Sequence, residues 1–259
     1  MSPFIFPLEI EENILDLLAE DDKGHSALKM CSLVCQAFLR ICRKHIFGSI
    51  VLGPRSTHAF ERLLRETPVI ADYIRILDCE IESEYLKQPP IQKTLKRISK
   101  LEFLTFHPGP YHSPRFDSFH WSDNGIRPAL LHLLHLPTLK HFKITHINNF
   151  LVSDLIPCVN LKYLDIGIHT TVAAENTFPA SFPEHSIQLN KFVAGTRTSD
   201  STMKFCAARR PDGQPIIDFG SLSQIRVDVE GPNDEVLQEL FRRCHALTTV
   251  RIFCKWYLR

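Results

Sequence analysis

A short apolar pattern that recurs along most of the chain constrains the fold more than any other feature of the sequence. The pattern is apolar-x-x-apolar-x-apolar, and seven copies begin at Ile74, Leu101, Leu139, Leu161, Leu189, Leu222 and Leu247. Apolar residues that alternate over so short a run predict a β-strand with one buried face. Helical spacing fills gaps between the copies, as at Val236, Leu237 and Leu240. Strands and helices in regular alternation predict a parallel sheet with the helices on its outer face.

Residues 8–47 differ from the rest of the chain because their apolar residues follow helical spacing alone. Apolar stripes run along residues 10–18, 28–35 and 38–42, and Asp21–Gly24 separates the first stripe from the second. The three stripes predict three helices. A module of about 45 residues buries too little surface to be very stable alone. We therefore expect its apolar face to need a partner.

These patterns divide the chain of 259 residues into two parts. We predict an α/β protein with a three-helix module over residues 1–50 and an irregular solenoid of about seven strand units over residues 51–259. The solenoid has a parallel sheet and outer helices, and its units must stack because no unit can bury its own core. The sequence ends at Arg259 without a polar capping repeat, so we expect either a short array or one truncated at its C-terminus.

The module carries a motif that resembles the F-box. That motif opens with Leu-Pro-x-Glu-Ile and closes with Val-Cys-basic-x-Trp, and the matching positions here are Phe6-Pro7-Leu8-Glu9-Ile10, Ile14-Leu15, Leu18 and Cys31–Phe38. Phe6, Gln36 and Phe38 depart from it, since the motif has Leu, a basic residue and Trp there. The copies that follow are spaced by about 22 to 38 residues, against about 20 to 29 for a leucine-rich repeat. An F-box followed by irregular leucine-rich repeats is similar to a large class of ubiquitin-ligase receptor subunits, notably in fungi.

The resemblance implies a substrate-receptor subunit of an SCF-type cullin–RING ubiquitin ligase. Its F-box would bind an Skp-type adaptor, and its repeats would bind an unknown protein target. Such a subunit acts by bringing the target close to the ubiquitin-loaded partner, so we expect no enzymatic activity, cofactor or metal on this chain. The alternative is a leucine-rich-repeat scaffold for protein interactions without a ligase role. The residues that the resemblance assigns to the adaptor surface or its support are Phe6, Pro7, Leu8, Ile10, Ile14, Leu15, Leu18, Leu28, Val34, Cys35 and Phe38.

The charge balance and the cysteines bear on the binding partners and the cellular compartment that we expect for the protein. Thirty basic and 29 acidic residues give a net charge of +1, which predicts no electrostatic attraction to nucleic acid or to an anionic membrane. No apolar run is long enough to cross a bilayer, and the N-terminus lacks the basic segment of a signal peptide. We therefore expect the eight cysteines to be reduced thiols in a protein of the cytoplasm, the nucleus or both.

Two residue pairs have the spacing of metal ligands, but a structural role explains them better. His132 and His135 lie three residues apart on a predicted helix, and no third ligand follows at matching spacing. Cys31 and Cys35 fall inside the F-box motif, where we interpret them as small buried residues. A hydrolase built from scattered His and Asp residues is the weakest alternative, since the sequence has no phosphate-binding glycine loop and no nucleophile elbow.

The segment 107–128 interrupts the repeats at their longest interval and is rich in aromatic residues. Aromatic and Arg side chains are enriched at interface hot spots, and long loops often carry function. Two interpretations are equally favoured. One is a target-binding loop, and the other is a segment without that role, either an insertion packed on the solenoid for structural reasons or a disordered loop. The candidate target-binding residues are Tyr111, Arg115, Phe116, Phe119 and Trp121.

Overall fold

The computed structural model describes residues 7–21, 24–80, 88–107, 119–121, 125–173, 178, 183–230 and 234–255. This part of the chain is an α/β structure built on a mostly parallel sheet. Its helices are α1 (Leu8–Glu20), α2 (Gly24–Cys31), α3 (Gln36–Ile46), α4 (Thr57–Glu66), α5 (Pro89–Leu95), α6 (Arg127–Leu134), α7 (Ser199–Ala207) and α8 (Asp234–Arg243). Two 3-10 helices lie at Pro68–Tyr73 and Val152–Leu155.

The main sheet has eight strands in the order β1-β2-β3-β5-β7-β9-β11-β12, and all its neighbours are parallel. The pairs β4–β6 and β8–β10 are short and also parallel. All seven copies of the apolar pattern contribute a strand to the main sheet, and β1 adds the eighth, so the predicted parallel sheet is confirmed. The strands are β1 (Ser49–Leu52), β2 (Ile76–Glu80), β3 (Phe103–His107), β4 (Phe119–His120), β5 (His141–Ile144), β6 (Ile147–Asn148), β7 (Tyr163–Ile166), β8 (Ile187–Gln188), β9 (Lys191–Ala194), β10 (Ile217–Asp218), β11 (Gln224–Glu230) and β12 (Thr249–Lys255).

The helices beyond the first three form a layer on one face of the sheet. Parallel strands that neighbour each other in chain order need crossover connections, and right-handed crossovers in one direction place them on the same side. In agreement, α4 packs against α5, α5 against α6, and α7 against α8. The helix layer is irregular, because the 3-10 helix Val152–Leu155 takes the place of an α-helix before β7.

Side chains alternate between the two faces of the sheet, as the apolar pattern predicts. Leu77, Leu104 and Phe142 point toward the helices and are buried. Their neighbours Ile76 and Phe103 lie on the opposite face, which we call the open sheet face because no helix of the described chain packs across it. Two rows of residues in register cross this face, Ile76–Phe103–His141–Tyr163–Lys191–Gln224–Thr249 and Asp78–Thr105–Lys143–Asp165–Val193–Arg226–Arg251.

Phe119 and Trp121 belong to the core, which corrects their assignment as target-binding residues. Trp121 is fully buried and Phe119 is 8% exposed. The Trp121 Nε1–H donates a hydrogen bond of 2.6 Å to Asp154 Oδ2, and its ring lies 4.9 Å from that of Phe150. For these two residues the structure favours the packed insertion. Tyr111, Arg115 and Phe116 lie outside the described residues.

The first three helices enclose a small core of their own. Leu15, Leu28, Ile41 and Cys42 are its buried members, and they are separate from the large core between the sheet and the outer helices. Gly24 begins α2 at a point where a Cβ atom would collide with the backbone carbonyl of Leu18. Three helices in residues 8–46 agree with the helical spacing of the sequence.

The last strand is covered less than the others. Val250 and Ile252 lie opposite the buried Ile225 and Val227 of β11, yet they are 45% and 42% exposed. No helix in the described part of the chain covers them, which explains the exposure.

Among the described residues no helix is both long enough and apolar enough to span a membrane.

Candidate functional site

The apolar stripe of α1 divides between two faces of the helix. Leu15 turns inward and is 1% exposed, and Leu18 is half-buried against the same core. Ile10, Ile14 and Leu17 turn outward and are 43%, 54% and 69% exposed. Their spacing of four and three residues places them along one side of the helix. The stripe thus supplies both the core of the module and an exposed apolar edge.

A second exposed apolar set lies where α2 ends. Met30, Leu33 and Val34 are 67%, 79% and 69% exposed. The Leu33 and Val34 N–H groups donate hydrogen bonds of 3.1 and 3.0 Å to the carbonyls of Met30 and Cys31. The backbone of this turn is therefore satisfied while its large side chains remain in solvent. We call the two sets together, Ile10, Ile14, Leu17, Met30, Leu33 and Val34, the helical apolar surface.

The residues assigned to the adaptor by resemblance occupy three kinds of position. Leu15 and Leu28 are buried, and Leu18 and Phe38 pack partly buried against them, so these four support the module from within. The remaining described members, Pro7, Ile10, Ile14, Val34 and Cys35, are exposed. Exposure of Cys35 corrects its interpretation as a buried small residue. Phe6 and the side chain of Leu8 lie outside what the structure describes.

Sequence reasoning missed three members of the helical apolar surface, Leu17, Met30 and Leu33. Leu17 lies seven residues after Ile10, so the two residues share one side of α1. Because Leu15 faces the core, that side faces outward. Met30 and Leu33 carry no such signal, because their exposure depends on where α2 ends and the chain turns.

Charged groups fix the orientation of α3 against α1. His45 Nε2 lies 2.7 Å from Asp16 Oδ1, and Lys44 Nζ lies 3.8 Å from the same oxygen. Both basic groups are in the last turn of α3, where cations also interact favourably with the helix dipole. The Lys44–Asp16 ion pair and the close His45–Asp16 contact thus link two of the helices that frame the small core.

A second candidate site is the open sheet face, which carries a ladder of stacked rings. Phe103 and His141 are stacked with ring centroids 3.9 Å apart and planes 10° from parallel. His141 and Tyr163 follow at 5.4 Å, and Lys191 Nζ lies 5.1 Å from the centroid of Tyr163. Burial lowers the pKa of His141 below its ordinary value, and the nearby Lys140 adds to this effect. The ring therefore favours the neutral form and can stack without a desolvated charge.

Asp165 lies at the centre of the open sheet face and is only 9% exposed. Tyr163 Oη donates a hydrogen bond of 3.2 Å to its Oδ2, and Lys143 Nζ is 3.8 Å away. Burial raises the pKa of Asp165, while Lys143 and the Tyr163 hydrogen bond act in the opposite direction. Burial and, to a smaller extent, the charge of Asp165 raise the pKa of Tyr163 to about 12. The Asp165 carboxylate therefore interacts with Tyr163 and Lys143 of the same sheet face.

The charge of the open sheet face changes from one side to the other. On β2 and β3 it carries Asp78 and Glu80, and His107 Nε2 lies 2.9 Å from Asp78 Oδ1. Among the described side chains on β5 to β12, it carries four cations against two carboxylates, Asp165 and Asp228. The four cations are Lys143, Lys191, Arg226 and Arg251.

The histidine and cysteine pairs singled out in the sequence do not assemble a reactive centre in the described chain. His132 Nε2 donates to the Ile98 carbonyl at 3.3 Å, and His135 Nε2 to the Asp154 carbonyl at 2.8 Å. No group of three or more His, Cys, Asp or Glu side chains among the described residues could hold a metal ion. Of the cysteine pair, Cys31 is half-buried and Cys35 is exposed.

No protein-family model matches this chain, and the search of curated proteins finds none similar to it.

Proposed function

We propose that this chain is the substrate receptor of an SCF-type ubiquitin ligase. The helical apolar surface would bind an Skp-type adaptor, and the solenoid would bind a target protein. One observation carries the proposal: Ile10, Ile14 and Val34 are large apolar residues in solvent, on a module of F-box-like sequence. Large apolar side chains exposed together on so small a module favour an interaction site.

Two residues of the helical apolar surface would contribute substantially to the affinity of such a contact. Transfer of a fully exposed Leu or Ile side chain into an interface contributes about 1.5–3 kcal/mol. Ile14 and Leu33 are 54% and 79% exposed. Together they would contribute about 2–4 kcal/mol, which corresponds to roughly 30- to 1,000-fold in Kd. Central apolar anchors of this type commonly account for most of the binding free energy of an interface.

In this role the chain needs no chemistry of its own. The adaptor end would link it to a cullin–RING ligase, and the target end would hold a protein close to the ubiquitin-loaded enzyme. The rate gain then comes from effective concentration and orientation. The open sheet face is the surface we assign to the target, because its aromatic ladder and charges lie on a rigid sheet away from the helical module.

The test is adaptor capture with matched variants. The full chain is co-expressed with an Skp-type adaptor from the same source, and binding is measured by isothermal titration after purification. Ile14→Asp/Leu33→Asp is expected to abolish binding. The control Val159→Asp/Phe241→Asp changes two other exposed apolar residues, on the sheet domain, and should bind as the parent does. Failure of the folded parent chain to bind the adaptor would refute the ligase role.

A protein-interaction scaffold without a ligase role is the second candidate. The open sheet face supports it, since its ladder of Phe103, His141 and Tyr163 is complete without the helical module. A chain that captures a target protein but no adaptor would favour this candidate over the first.

A further inference from the structure

The cationic half of the open sheet face contains charges that the described chain leaves uncompensated. Lys143 is 3.8 Å from Asp165, and Arg226 is 3.3 Å from Asp228. Lys191 lies over the Tyr163 ring, and Arg251 is exposed on the edge strand. Among the described residues no carboxylate lies within 4.0 Å of the Lys191 or Arg251 side-chain nitrogens. The described side chains of this face from β5 to β12 therefore have an excess of two positive charges.

Ring contacts position two of these cations, Lys191 and Arg226. Arg226 extends its guanidinium over the ring of Phe253, 4.6 Å from the centroid, while its Nε contacts Asp228. The guanidinium has five N–H donors and the Arg226 side chain is still 47% exposed, so it retains donors for a ligand. Register places Lys191 two strands from Arg251, with β11 between them. An incoming anion thus meets donors from three neighbouring strands, with Lys191 in one register row and Arg226 and Arg251 in the next.

The aromatic ladder lies in the same register row as Lys191. Tyr163 stands next to Lys191 in the register, and His141 and Phe103 continue the same row toward β3. Phe103 is 38% exposed at the end of the ladder. An apolar side chain of a ligand can therefore cover a ring while its acidic neighbours reach the cations. Aromatic surfaces next to Arg and Lys are suited to such mixed contacts.

We propose that the target of this chain is recognised through an acidic polypeptide segment that carries an aromatic or aliphatic residue at its end nearer β3. The segment crosses β5, β7, β9, β11 and β12. Its carboxylates contact Lys191, Arg226 and Arg251. Its apolar residue packs on the stacked rings of Phe103 and His141. Adjacent strands lie about 4.8 Å apart, so five strands span about 19 Å, which about six extended residues cover. This inference rests on the proposed function only for the assignment of the open sheet face to the target.

The charge pattern also sets the direction of the segment. Asp78 and Glu80 on β2 repel further carboxylates, so the acidic part cannot extend past β3. Lys191 and Arg251 attract it toward the other side. The ligand is therefore expected to be asymmetric, apolar at one end and acidic at the other.

The experiment pans the purified full chain against a displayed library of random peptides roughly twice the length of the expected segment. Enriched peptides should carry net negative charge and an aromatic or aliphatic residue at one end. Affinities of the synthesised peptides are then measured by fluorescence anisotropy for the parent, for Lys191→Gln/Arg226→Gln, and for a control of equal charge change, Arg62→Gln/Lys96→Gln. Arg62 and Lys96 are exposed cations on the helical side.

The sheet-face variant is expected to weaken binding about five- to twentyfold, because each exposed ion pair contributes up to about fivefold. Parent binding should also weaken as NaCl rises from about 50 mM to about 300 mM, which screens surface charges. Enrichment of neutral or basic peptides, absence of enrichment, or equal weakening by the control would overturn the proposal. So would equally tight binding of a single-stranded oligonucleotide of the same charge. Adaptor capture is measured separately, so a failure here does not depend on the ligase role.

Discussion

Replacement of Trp121 by Phe tests the assignment of this residue to the core rather than to a binding loop. Trp121 is fully buried, and its Nε1–H lies 2.6 Å from Asp154 Oδ2. Arg127 also donates to Asp154, at 2.8 and 2.9 Å to the two carboxylate oxygens. Trp121→Phe removes one of the donors of this carboxylate and leaves a smaller ring in the same space.

The magnitude follows from two contributions. A hydrogen bond to a charged group contributes about 1.5–3 kcal/mol, and its loss leaves a buried oxygen with one donor fewer. Loss of buried ring atoms adds a cavity that costs about 1 kcal/mol. We therefore expect Trp121→Phe to lower the free energy of unfolding by about 2–4 kcal/mol. The control Phe119→Leu removes apolar volume from the same segment without a hydrogen bond, and should cost about 1 kcal/mol.

Urea unfolding followed by far-ultraviolet circular dichroism is the appropriate assay, because Trp121 itself is absent from the variant. The slope of the transition must match that of the parent for the free energies to be compared. A loss below about 0.5 kcal/mol for Trp121→Phe would show that the indole is not held as described, since surface substitutions fall in that range. Unchanged target binding by both variants would agree with the packing role.

Three further predictions concern the module, the sheet and the thiols. Gly24→Ala should destabilise α1 and α2 by about 1–3 kcal/mol through the collision with Leu18, measured by hydrogen exchange, whereas Gly125→Ala, with open space around it, should be neutral. Because burial raises the pKa of Asp165 above 3.8, the folded state binds its proton more tightly and the parent loses stability as pH rises through that folded pKa. The stability of Asp165→Asn relative to the parent should therefore increase as the pH rises above about 4, and a difference independent of pH would contradict this. Maleimide should label the exposed Cys35 rapidly and the buried Cys79 only on unfolding, as mass spectrometry can record, and fast labelling of Cys79 would disprove its burial.

The main sheet could be predicted from the sequence because its signal is local. Each copy of the apolar pattern contains the alternation that a half-buried strand needs, and the strands follow chain order. The role of Trp121 could not be predicted in this way, because its partner Asp154 is 33 residues away. An aromatic residue in a loop-like segment has the same local pattern whether it packs inward or contacts a partner.

The candidate surfaces were predictable to different extents. The motif located the helical module, but helical spacing alone does not say whether Ile14 or Leu15 faces the core. That choice depends on the sides from which α2 and α3 approach α1. The charges of the open sheet face depend on register between strands, as in the Lys143–Asp165 pair, and no local pattern reports it. The F-box assignment and the cytoplasmic or nuclear location stay predictions.

The thin covering of β12 has a consequence for how a ligand would affect the protein. In a stack where each unit contacts only its neighbours, the end unit opens more readily than the interior. Arg251 stands on that strand, while Arg226 stands on the better covered β11. A ligand that bridges the two would suppress the opening of β12 and shift the whole stack toward its closed population. Binding would then protect the β12 amides from hydrogen exchange, because the ligand holds a strand whose helix-facing side chains Val250 and Ile252 are exposed.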